Sequence, residues 1–177
     1  AEAVDFEAES LGTTGPNPTD GSASGAVLLG WLERVPAPAA ALRVVRAHLG
    51  PGGRALVVSS NPGSAVASVF HGRHWAGYDF PRSRALADRA TLATLANQGG
   101  FTIAAVWTIG DPGAWTVSWG DLLRDWGAPA WIARALGPGS PLAASGARLL
   151  EWLSVRRGRG GLLVADLGWA PTVPASP

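Results

Sequence analysis

Unbroken apolar runs alternate along this chain with segments whose apolar residues recur every three or four positions. Ala26–Gly30 (AVLLG) is a short continuous run, the pattern of a strand buried on both faces. Pro38 follows at a position suited to the first turn of a helix. Leu42, Val45 and Leu49 then share one helical face, with Arg43 and Arg46 off it. Gly50, Pro51, Gly52 and Gly53 stop that helix. Arg54–Ser60 (RALVVSS) reads as a second apolar, β-branched strand. Strand, helix and strand over residues 26–60 predict a parallel crossover unit.

The same alternation continues downstream. Asn61-Pro62-Gly63 is a turn at the end of the second strand, and residues 64–71 suit a short helix. Residues 72–85 (GRHWAGYDFPRSRA) are aromatic, polar and irregular. A helix is expected over about 88–98, ended by Gly99-Gly100, and Phe101–Thr108 (FTIAAVWT) is a third strand. A Trp-rich helical segment covers about 115–155. Within it Trp119, Leu122, Leu123 and Trp126 fall at i, i+3, i+4 and i+7. Gly161–Trp169 (GLLVADLGW) is the last strand. Residues 13–25 read as a loop, and the Pro-rich residues 171–177 as a frayed tail. The pattern predicts one α/β domain over 1–170 with a helical cap at about 111–158.

Composition narrows the choice. The chain has 177 residues, 47% of them hydrophobic and 15% charged, which suits a globular domain with a real core. A formal net charge of +1 argues against a broad nucleic-acid footprint. Cysteine is absent, which removes disulfides, thiolate metal sites and Cys nucleophiles. The three histidines have no carboxylate spacing typical of a metal-ligand set. No apolar run approaches the roughly 18 residues that span a bilayer, so a cytoplasmic protein is expected. Met is absent, even at position 1, and the chain reads as a piece of a longer sequence.

The ordered string LERVPAPAAALRVVRAHLGPGGRALVVSSNPGS, followed by WAGYDFPR and Gly99-Gly100-Phe101, resembles class I S-adenosylmethionine-dependent methyltransferases. Arg34, Ala37 and Ser83 stand where that family often carries His, Asp and His. The resemblance implies a Rossmann-like, mostly parallel sheet with an antiparallel last strand. It also implies that the family's first strands and glycine-rich cofactor loop precede this chain, which leaves the strand at 26–30 on an exposed edge. The implied cofactor is S-adenosyl-L-methionine. Its adenine would meet Asp5 and Phe6, and its sulfonium side would meet Gly30 and Trp31.

Ligands of open α/β sheets sit beyond the C-terminal ends of the strands. Glu33 and Asn61 stand at two such ends and are candidate substrate contacts. The 71–84 loop adds Trp75, Tyr78 and Arg82 as substrate contacts. It also offers His74 as a general base, because imidazole titrates near neutrality, and Asp79 to orient that base or a substrate hydroxyl. The leading function is methyl transfer to a small-molecule or glycan-type acceptor. The alternative is a non-catalytic, degenerate methyltransferase-like module that binds a partner chain. The Trp- and Arg-rich helical segment admits three roles: a packed cap, a lid over an apolar substrate, or peripheral contact with a membrane.

Overall fold

The computed structural model describes Gly21, residues 23–79 and residues 81–169. Strand β1 (Ala23–Leu29) leads to helix α1 (Pro38–His48), strand β2 (Leu49–Ser60) and helix α2 (Ala65–Phe70). Two short 3-10 turns, Gly72–His74 and Ala76–Tyr78, precede helix α3 (Arg89–Gln98) and strand β3 (Phe101–Ile109). Helices α4 (Pro112–Asp125), α5 (Ala130–Leu136) and α6 (Pro141–Arg156) then lead to strand β4 (Leu162–Trp169). The four strands form one mixed sheet in the order β1-β2-β4-β3. β1 and β2 pair in parallel, while β4 runs antiparallel to both β2 and β3. The predicted crossover and the reversed last strand are both present.

Local chemistry explains the boundaries. Pro38 occupies the first turn of α1 as expected. Ser64, Asp88, Asp111 and Ser140 accept backbone N–H bonds at the starts of α2, α3, α4 and α6, which satisfies donors that a helix leaves orphaned. One boundary differs from the sequence expectation. α1 ends at His48, before Gly50–Gly53, and Leu49, expected on the helical face, is already extended and opens β2, which also takes in Gly50–Gly53; the β1–β2 register shifts between Ala23 and Gly25 to absorb them.

The main core lies between the sheet and the layer of α1 and α3. Leu42 and Val45 of α1 and Leu92 and Ala96 of α3 pack on Ala55, Val57, Ala165 and Leu167. The opposite face is different. There Val27 and Leu29 are 63% and 70% exposed, and register places Leu29, Val58, Val164 and Trp107 in one row across it. The expectation that β1 is buried on both faces is therefore corrected: helices cover its Ala26 and Leu28 side alone. β1 and β3 are the two edge strands of the sheet among the described residues. On the same open face Arg54 and Asp166 form an ion pair, with Nε donating to Oδ1 at 2.9 Å.

A second core lies beyond the strand tips. Val66 and Phe70 of α2, Trp75 of the following loop, Ala114 and Trp115 of α4, and Ala147 of α6 form it. The Phe70 ring meets Trp115 and Trp119 edge-on, at 5.9 and 5.2 Å between centroids. The inward face of α4 is thus Trp115, Ser118 and Leu123, and Trp126 is exposed. Of the run from Trp119 to Trp126, Leu123 is buried, Leu122 packs against the second core and Trp119 meets Phe70, while Trp126 stays outside; Trp115 and Ser118 add the polar bonds that orient the helix.

Candidate functional site: a cleft at the strand tips

β1 and β2 end side by side, and the chain leaves both tips through tight turns. Gly30 takes φ +58°, a left-handed conformation that glycine adopts without strain. A Cβ built on Gly30 would meet no atom within 4 Å, so this backbone faces open space. An open cleft of about 600 Å³ lies there. Leu29, Val58 and Leu162 form its sheet wall, and Ala114 and Val117 of α4 face them. Glu33, Arg34, Asp79 and Asp111 supply charge at its border. One apolar wall and one charged border suit a small amphipathic ligand.

The predicted residues divide into three groups. Gly30, Glu33 and Asp79 border the cleft. Glu33 is buried, and its carboxylate accepts from the backbone N–H of Ser60 and, at 3.4 Å each, from the hydroxyls of Ser60 and Ser83. Its backbone carbonyl accepts from Arg84 N–H at 2.7 Å. Glu33 therefore fastens the exit of β1 to the tip of β2 and to the 81–84 turn. Asp79 pairs with Arg34 at 3.4 Å and with Arg82 at 3.8 Å. Arg82 itself is exposed and reaches the cleft only through that pair.

A second group is structural. Asn61 is buried, donating to Gly160 C=O at 2.8 Å and accepting from Gly63 N–H at 3.0 Å. These bonds hold the turn between β2 and α2 against the start of β4. Trp75 is buried in the second core. Neither Asn61 nor Trp75, both expected as substrate contacts, borders the cleft: their side chains are engaged in backbone bonds and packing. Trp31 packs against the main core, and Tyr78 is partly exposed on the loop. Asp5 and Phe6 lie outside the described residues.

His74 forms the third case. Its partner is not Asp79 but Asp125 of α4, at 2.8 Å from Nε2. Arg73 joins the same carboxylate at 2.8 Å. The hydrogen bond with His74 holds the Asp125 carboxyl below the usual aspartate range, against an opposing effect of burial, and the nearby Arg73 charge adds a lesser lowering. Ala76 N–H donates to Ser118 Oγ at 3.0 Å, a second tie between this loop and α4. His74 is not among the residues that border the cleft, so its placement fits a loop anchor.

Two features escaped the sequence reading. Ser59 borders the cleft, is 2% exposed, and its hydroxyl has no hydrogen-bond partner. Such a buried, unspent hydroxyl is uncommon. Glu151 of α6 is also buried. Its carboxylate accepts from Asp111 N–H at 2.9 Å, Gly161 N–H at 2.6 Å and the Trp115 indole N–H at 2.7 Å. It thereby fixes the start of α4, which forms the cleft's helical wall, to the start of β4. No local pattern announces either residue, because their partners lie 10 to 40 positions away in the case of Glu151.

Comparison with solved structures identifies the fold. The chain superposes on a SAM-dependent methyltransferase from Thermotoga maritima with a TM-score of 0.52 at 16% identity, covering 87% of this chain and 59% of that one. A SAM-dependent methyltransferase from Archaeoglobus fulgidus gives 0.48 at 12% identity, covering 90% and 62%. The [4+2]-cyclase SpnF gives 0.49 at 18% identity, covering 88% and 52%. This chain therefore spans between about half and three-fifths of the length of these structures. No family model and no curated protein matches it.

Proposed function

We propose that this chain, whose fold is that of the class I SAM-dependent methyltransferases, forms the acceptor side of a methyl-transfer site for a small molecule. One observation carries the reading: the open cleft at the tips of β1 and β2, which Gly30 borders with unhindered backbone. That position suits ligands of open α/β sheets. The tip of β1 also fits the methyl-bearing end of S-adenosylmethionine, since a backbone without Cβ admits close approach. Gly30 and Trp31 would hold that end. When bound, the cofactor supplies an activated methyl group for in-line attack, so positioning carries much of the rate.

This chain's residues divide that work. Leu29, Val58 and Val117 exclude water from the acceptor's apolar part. Asp79, held by Arg34 and Arg82, orients an acceptor hydroxyl or amine at the border. Glu33 keeps the two strand tips in register and is a positioning residue. His74 anchors the loop that carries Asp79 to α4. Binding is tested on the chain by recording backbone amide signals during addition of S-adenosylhomocysteine. Shifts at Gly30, Trp31 and Ser60, lost in Gly30→Val, are expected. Unmoved signals at the strand tips would overturn the reading.

A second reading draws on the edge of β1, which has no neighbouring strand on its outer side among the described residues. An unpaired edge invites another strand, which favours a partner-binding module as the alternative. Sedimentation velocity distinguishes the two, since a partner-binding edge gives association that Val27→Lys, at an exposed position of β1, weakens, while a methyl-acceptor site does not need it.

A further inference from the structure

Helix α6 is turned the unexpected way round. Successive residues advance by 3.6 per turn, so Ala147, Glu151 and Ser154 share one face, and these are its buried residues. Leu142, Leu149 and Leu153 lie on the opposite face, at i, i+7 and i+11, and all three are exposed, Leu142 by 74%. The helix thus turns a carboxylate and a serine inward and its leucines outward. Packing explains the inner face, because Glu151 is needed by three N–H donors. It leaves the outer face without a partner among the described residues.

The surroundings of that face are cationic. Arg148, Arg156 and Arg157 are exposed, and the one acid between residues 141 and 159 is the inward Glu151. Trp152 is exposed beside the leucines, and the Arg156 guanidinium lies over its ring, 3.8 Å from the centroid. A shallow apolar groove of about 350 Å³ continues the patch, where Leu142, Gly146 and Leu150 face Trp119 and Leu136.

We propose that the outer face of α6 docks on an anionic lipid surface, with the helix lying in the interface plane. The occupant follows from charge and residue type. Leucine and tryptophan on one face, flanked by arginines with no exposed acid on the helix itself, is the arrangement that inserts shallowly into a headgroup layer. Arginines at such a surface gain from its negative potential. A second copy of this chain would bring the same arginines against themselves. The proposal is independent of methyl transfer.

The test is flotation of the chain with vesicles of equimolar phosphatidylserine and phosphatidylcholine, against pure phosphatidylcholine. Partition at least about tenfold stronger on the anionic vesicles is expected, falling as salt is raised. The combined Leu142→Ser, Leu149→Ser and Leu153→Ser variant, and separately the Arg148→Glu, Arg156→Glu and Arg157→Glu variant, should each lose it. All six positions are exposed, and circular dichroism checks that each variant is folded. Equal partition on both vesicles, binding that survives either set of changes, or self-association that the serine variant dissolves would each overturn the proposal.

Discussion

Around α1 and α3 the interior is made almost wholly of aliphatic side chains, and its helices bury leucine and valine against the sheet. Around α4 and α6 the interior adds the bonds of Glu151, Ser118 and the Trp115 indole to its apolar side chains, and Leu142, Leu149 and Leu153 of α6 are left outside. The first region is held by non-directional burial, which tolerates small shifts. The second is held by directional bonds to a buried carboxylate, which fix geometry but fail abruptly when one member is removed. The cleft lies where the two meet. Its sheet wall is inherited from the first region, and its helical wall is set by the second.

Removing the carboxylate is the sharpest way to break this contrast. Glu151→Leu leaves three N–H donors unpaired in a buried setting. At roughly 1–3 kcal/mol for each unsatisfied group, a loss of about 4 kcal/mol is expected by urea unfolding. Hydrogen exchange should show α4 to α6 opening before β1 and β2. Uniform loosening of both regions would mean that they form one cooperative unit. Leu42→Ala, at a fully buried position of α1, should cost about 3 kcal/mol and weaken the whole sheet at once.

Trp115→Phe retains most of the ring but removes the indole donor to Glu151. A loss of about 1 kcal/mol is expected, small beside the effect of removing the carboxylate. The smallest effect concerns the link from His74 and Arg73 to Asp125. Because the folded carboxyl titrates below the ordinary aspartate range, its contribution is present above an unfolded value of about 4. It is lost as pH falls through the lower folded value. Acidification below about pH 4 should therefore free the 71–79 loop from α4. Tryptophan fluorescence should report this in the native chain, and Asp125→Asn should abolish the pH step while leaving the neutral-pH spectrum in place.

The contrast between the regions also explains what could be read from the sequence. The strand, helix and strand of residues 26–60 announce themselves because aliphatic burial leaves a periodic pattern, and Pro38 marks the helix start. The second region leaves no such record. Asp125 was missed as the partner of His74 because it lies 51 positions away. Asn61 and Trp75 read as ligand contacts because polar and aromatic residues near strand tips look alike whether they face a cleft or hold it together. Glu151 sits in a helix among leucines, where a carboxylate ordinarily marks the wet side. Here the donors of Asp111, Trp115 and Gly161 reverse that rule.

The Arg54–Asp166 pair has a consequence for how this protein behaves in concentrated solution. It ends the apolar row of the open sheet face with a hydrated boundary, so two molecules meeting through that face must strip water from four charges. Neutralising the pair would save that desolvation and leave a continuous sticky plane. Higher turbidity of the Arg54→Leu, Asp166→Leu variant than of the native chain at equal concentration, with an unchanged circular dichroism spectrum, is the expected outcome.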